Sequence, residues 1–201
     1  VVFDAQKREF FIYHTPAPNT GFTLEEALKI MRTNPTARIW LDWKNCQPEL
    51  IDAAVKRLVE LDKTYEISRR TLIETGSYST FPGISAITSA GFNHGYYLPT
   101  GKISDCLKRC TPEDKDKLVA ELKETIITHS FSAVTYDWEL RPFVAEWLDE
   151  FLQSRSIGQY SWDLTVQSSH QPSVAQALVN RMRAVPTLRG LLITLPSAFY
   201  I

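Results

Sequence analysis

Ala37-Arg-Ile-Trp-Leu-Asp-Trp43, followed by Pro48-Glu-Leu-Ile-Asp-Ala-Ala-Val-Lys-Arg-Leu-Val-Glu-Leu61, changes its hydrophobic period partway along. The first piece is dense in aromatic and branched residues and predicts a strand. The second places Pro48 in a first helical turn, where its missing N–H costs nothing. Its apolar residues Leu50, Ala53, Ala54, Leu58 and Leu61 then recur at helical spacing. One strand and one helix follow each other with a short connection.

The same alternation extends in both directions. Upstream, Glu9–His14 predicts a strand, and Thr23-Leu-Glu-Glu26 is a capping box that opens a helix to about Arg32. Downstream, Thr71–Thr75 predicts a strand, and a weaker helix spans about Tyr78–Ala90, interrupted by Pro82-Gly83. Gly95–Leu98 is a short strand. Thr111-Pro-Glu-Asp114 starts a helix with Thr as N-cap, Pro next and acids in the first turn. Strand Ala133–Asp137, a helix to about Ser154, strand Tyr160–Val166, helix Pro172–Met182 and strand Leu188–Thr194 complete the pattern.

Alternating strands and helices imply α/β architecture with parallel strands and right-handed crossovers. The expected fold is a TIM (β/α)8-type barrel as one domain over residues 1–201, with seven strands visible. The chain starts in strand-like sequence, Val1-Val-Phe3, so the first strand is expected upstream. The competing open doubly wound sheet would carry a Gly-rich phosphate turn after an early strand, and the sequence has none.

The composition is that of an ordinary globular domain, 44% hydrophobic and 22% charged. A net charge of −1 gives no general pull toward nucleic acid or an anionic membrane. The short basic runs Arg69-Arg70 and Lys108-Arg109 read as solvated faces. No apolar run is long enough for a transmembrane helix. Three cysteines, Cys46, Cys106 and Cys110, are too few for a disulfide framework. Free thiols are expected, with one bridge as the alternative.

Barrel chemistry sits at the C-terminal ends of strands. His14 ends the first visible strand, just before the rigid turn Thr15-Pro-Ala-Pro18. Asp42 and Lys44 end the second, two residues apart and so on one side, with Trp40 below them. Glu74 ends the third, Asp137 and Glu139 the fifth, and Thr194 the last; Trp162 and Asp163 lie on the sixth. Glu139 reads as an exposed acid near a helix start. His94 is expected at a strand start and structural, His129 at a helix end, and His170 in a loop. A His, oxygen ligands and a Lys on one polar floor can move protons, hold a hard ion and neutralise phosphate oxygens.

The order of these parts resembles the glycerophosphodiester phosphodiesterases, within the phospholipase C-like phosphodiesterase barrels. His14, Thr23-Leu-Glu-Glu-Ala-Leu28 and Asp42-Trp-Lys44 match that family's His strand end, its helix opening and its acid-x-Lys strand. Tyr160-Ser-Trp-Asp-Leu-Thr165 is similar to its Trp-bearing seventh strand, and Arg189-Gly-Leu-Leu-Ile-Thr-Leu-Pro196 to its closing strand. The family's first catalytic His and its Glu-x-Asp metal ligands would precede Val1. Asp42 stands where Glu is usual, and Thr15 where Asp often follows the His.

The resemblance implies metal-dependent hydrolysis of a small-molecule or lipid phosphodiester by His general acid/base catalysis, with one divalent ion, Mg2+ or Ca2+. It makes His14 and Lys44 catalytic, Asp42 a metal ligand, and Trp162 a wall of the substrate site. Glu74 and Asp137 join Trp162 as substrate-binding candidates by their strand-end positions. The alternatives are a catalytically degenerate barrel that binds, a phospholipase D-like member of the same superfamily, and an aldolase using Lys44 as a Schiff base.

Overall fold

The structure is a computed structural model that describes residues 1–13, 17–34, 36–76, 80–163, 180, 183–185 and 188–193. The chain divides into two compact units. The first comprises Val1–Tyr97 with His129–Phe131, and the second Leu98–Thr128 with Ser132–Ile201.

The first unit opens with a hairpin, β1 (Val2–Asp4) and β2 (Glu9–Phe11), paired antiparallel. This corrects the expectation that the Phe-Phe-Ile-Tyr-His segment is a parallel barrel strand. Aromatic density specifies a strand but not its partner. The partner is set by the turn, where the Asp4 carboxylate accepts from the N–H groups of Gln6 and Lys7, both at 3.0 Å. Helix α1 (Leu24–Met31) follows, and the capping box at its start is complete. Thr23 Oγ1 accepts from Glu26 N at 3.2 Å, and Glu26 Oε2 from Thr23 N at 2.8 Å.

Next come β3 (Ile39–Asp42), α2 (Pro48–Tyr65), a 3-10 turn (Ser68–Arg70), β4 (Thr71–Glu74), α3 (Ser85–Ser89) and β5 (Asn93–Tyr97). β3 pairs with β4 and β4 with β5, both parallel. The buried stripe of α2 is Ile51, Ala54, Val55, Leu58 and Leu61; Leu50 and Ala53 lie at its margin. That stripe packs on Leu41, Trp43 and Ile73 from one face of the strands. Phe3, Phe10 and Trp43 form an aromatic knot, with ring centroids 4.8–6.4 Å apart, that seats the hairpin on the same core. At the edge of that core Arg57 donates to Glu9 at 2.5 Å and Glu25 at 2.6 Å, joining β2, α1 and α2.

The second unit contains α4 (Thr100–Arg109), α5 (Pro112–Thr128), β6 (Ala133–Asp137), a 3-10 turn (Trp138–Leu140), α6 (Arg141–Trp147), α7 (Asp149–Ser154), β7 (Gly158–Asp163) and β8 (Leu188–Ile193). β6 pairs with β7 and β7 with β8, again parallel. Gly190 is required here: a Cβ on it would sit 2.7 Å from Tyr160 Cδ1. The described residues therefore supply three parallel strands in each unit.

Helix α4 has no counterpart in the sequence reading. Its Cys106 and Cys110 form a disulfide, a correction to the expected free thiols. They lie one helical turn apart at the helix end, with Cα atoms 4.7 Å apart, within bridging range. Cys46 remains free and fully buried, and burial pushes its thiol up to about 12. No helix among the described residues is long and apolar enough to cross a membrane. The expected helix at 172–182 lies almost wholly outside the described residues.

Candidate active site

The pleat of β3 sorts its side chains. Leu41 and Trp43 turn into the helix-covered core, so Trp40 and Asp42 project from the other face. Parallel pairing sets Trp40 beside Leu72 and Asp42 beside Glu74. The two carboxylates thus stand on neighbouring strand ends, on the face opposite α2.

Their surroundings differ. Asp42 Oδ2 pairs with Lys44 Nζ at 2.5 Å, and both side chains are about two-fifths exposed, 38% and 41%. Glu74 is 2% exposed and accepts from Trp40 Nε1 at 3.1 Å. A carboxylate this buried needs hydrogen bonds, and the indole N–H supplies one of them.

Asn45 fixes the geometry of this strand end, and sequence reasoning missed it. Its Oδ1 accepts from Phe3 N at 2.8 Å and Trp43 Nε1 at 3.0 Å, while Nδ2 donates to Phe3 O at 2.8 Å. The backbone adds Trp43 N to Glu74 O at 2.7 Å and Lys44 N to Val1 O at 2.9 Å. A short amide three residues past a strand-end Asp was the available signal.

The second unit has its own strand-end group. Asp137 and Trp162 are paired in register on β6 and β7. Asp137 Oδ1 accepts from Trp162 Nε1, and Oδ2 from Thr100 Oγ1 at 2.7 Å. Both oxygens are thereby engaged by neutral donors. Thr100 was not singled out, because the helix it opens was not; Pro99-Thr100-Gly101 after a strand was the signal. On the other face of these strands Tyr136 donates to Gln159 at 2.7 Å, and Arg141 clamps Asp149.

His14, His170 and Thr194 lie outside the described residues. Glu139 is exposed, as expected. His94 is the second residue of a strand that starts two residues earlier than expected. It is fully buried, 3.1 Å from Thr75 Oγ1, with its ring on Phe131. Burial, with His129 nearby, lowers its pKa to about 3, so it stays neutral and serves packing.

Among the described residues no group of three His, Cys, Asp or Glu gathers. Asp42 and Glu74 are hard oxygen donors. They suit Mg2+ or Ca2+, and Mg2+ commonly takes only one or two carboxylates and fills its shell with water and phosphate oxygens.

Comparison with known proteins defines the class at the level of fold. No family model and no curated protein matches the sequence. Similar solved structures include two phosphodiesterases. One is a glycerophosphodiester phosphodiesterase from Parabacteroides distasonis, with TM-score 0.53 and 12% identity over 85% of this chain. The other, from Silicibacter pomeroyi, is described as a glycerophosphoryl diester phosphodiesterase, with TM-score 0.48 and 14% identity over 87% of this chain. This chain spans 59% and 53% of their respective lengths. The first likeness is one of fold alone: an α/β chain whose fold is distantly similar to that of a glycerophosphodiester phosphodiesterase.

Proposed function

We propose that this protein hydrolyses a glycerol- or lipid-linked phosphodiester with the help of one divalent ion, Mg2+ or Ca2+. The observation that carries the reading is the cluster of Asp42, Lys44 and Glu74 at adjacent parallel strand ends, on the face away from the helices. The shared fold supports it. Asp42 and Glu74 hold the ion, which when bound neutralises charge on the phosphoryl oxygens. The Lys44 ammonium, already beside Asp42, orients the phosphate through the same charge. His14 moves the proton between the attacking group and the ester oxygen.

Release of nitrophenol from bis-nitrophenyl phosphate tests the reading. Turnover by the wild type that is lost in His14→Ala is expected. No turnover, or equal turnover in the variant, contradicts it. One observation favours a second reading, a barrel kept only for binding: Asp42 already spends an oxygen on Lys44. Glycerophosphocholine that binds without being cleaved would select that reading.

A further inference from the structure

We propose a second anion-binding site, at the opposite ends of β3 and β4 from Asp42 and Glu74. It is a cavity of about 380 Å³ lined by Arg32, Thr64, Tyr65, Glu66, Arg69 and Arg70. Arg32 caps the C-terminal end of α1, residues 64–66 close α2, and Arg69 and Arg70 form the 3-10 turn that leads into β4.

The simplest account of arginines here is that they complement the negative ends of two helices. Arg70 performs that role at the end of α2 and ties down the loop after α1. Its guanidinium donates to the carbonyls of Tyr65 at 3.1 Å, Ala37 at 3.3 Å and Asn34 at 3.5 Å. These bonds hold it as a fixed wall. Tyr65 is fixed as well, its hydroxyl donating to Glu25 at 3.2 Å.

Arg32 and Arg69 do something else. Both are exposed, and neither has a side-chain hydrogen bond or acidic partner among the described residues. Three guanidinium groups face a single acid, Glu66, around one cavity, in a chain of net charge −1. Glu66 carries no ion pair to either arginine. Planar forks of this kind match the oxygens of phosphate two at a time. The ligand class is a small, soluble, multiply charged oxyanion, phosphate or a phosphate monoester, and the volume leaves room for an organic part. The N-terminal ends of barrel strands usually serve stability. Here Arg70 covers that need, and two cations remain over.

The test is calorimetric titration of the full chain with inorganic phosphate and with glycerol phosphate at low ionic strength. Saturable binding is expected. It should weaken at least about tenfold in the Arg32→Ala, Arg69→Ala double variant, tighten in Glu66→Gln, and persist in Lys44→Met. Neither arginine makes a structural hydrogen bond, so the double variant should melt like the wild type. Absence of saturable binding overturns the proposal, as does an affinity unchanged in the double variant. Binding lost in Lys44→Met also overturns it, by assigning the anion to the other strand ends.

Discussion

The two units present an acid at a strand end in opposite ways. Asp42 in the first unit meets a charged, half-exposed lysine and stands beside a second carboxylate. Asp137 in the second unit has one oxygen on an indole N–H and the other on a threonine hydroxyl. A half-exposed ion pair can exchange partners cheaply, because such pairs contribute only about 0–1 kcal/mol. A carboxylate with a neutral donor on each oxygen is an orienting device, which holds Trp162. The same residue type at the same place in a strand thus has two roles, and the donors around it decide which.

The same substitution should separate them. Asp42→Asn removes a charge the proposed chemistry uses, and phosphodiester hydrolysis should fall on the order of 10²- to 10³-fold with the melting temperature nearly unchanged. Asp137→Asn keeps an acceptor for the indole, and the Thr100 hydroxyl can turn to accept from the new amide. Its kcat/KM should fall less than about fivefold, the size of one weakened hydrogen bond. Equal losses in the two variants would erase the contrast.

Packing beside Trp162 gives a smaller effect. Gly190→Ala would press a methyl group 2.7 Å from the Tyr160 ring, and denaturant unfolding should report a loss of about 1–3 kcal/mol.

The weakest effect is in pH dependence, and it compares the arginine clamp of each unit. The hydrogen bond from Arg57 holds the Glu25 carboxyl below its ordinary range. Burial pushes Asp149 up, but the bonds from Arg141 and Gln159 and the Arg141 charge together outweigh it and hold that carboxyl low too. Near their ordinary pKa values the unfolded chain binds more protons than the folded one. The stability they contribute is therefore present at neutral pH and lost as pH falls below about 4. Thermal melts should show that loss, with a shallower dependence in Glu25→Gln and in Asp149→Asn; parallel curves for wild type and variants would contradict it.

Much of the fold was legible where local chemistry decides it. The Thr23 capping box, Pro48 at a helix start and strand Ala133–Asp137 stand where the sequence puts them. Partner choice was not legible. The Glu9–Phe11 strand looks like any buried strand until the Asp4 turn folds it onto Val2–Asp4. Helix α4 opens without a side-chain cap and hides behind Pro99 and Gly101. Of the candidate site, the strand-end positions of Asp42, Glu74 and Asp137 were legible. The bonds that give those positions their roles, Trp40 to Glu74, Asn45 to Phe3 and Thr100 to Asp137, span 34 to 42 residues of sequence and follow only from register.

The most direct test of the central claim is the rate of glycerophosphocholine hydrolysis by the wild-type protein after chelation and after return of metal. A chelator is expected to abolish turnover, and Mg2+ or Ca2+ to restore it. Turnover that is indifferent to the chelator, or absent with either ion, would contradict that claim.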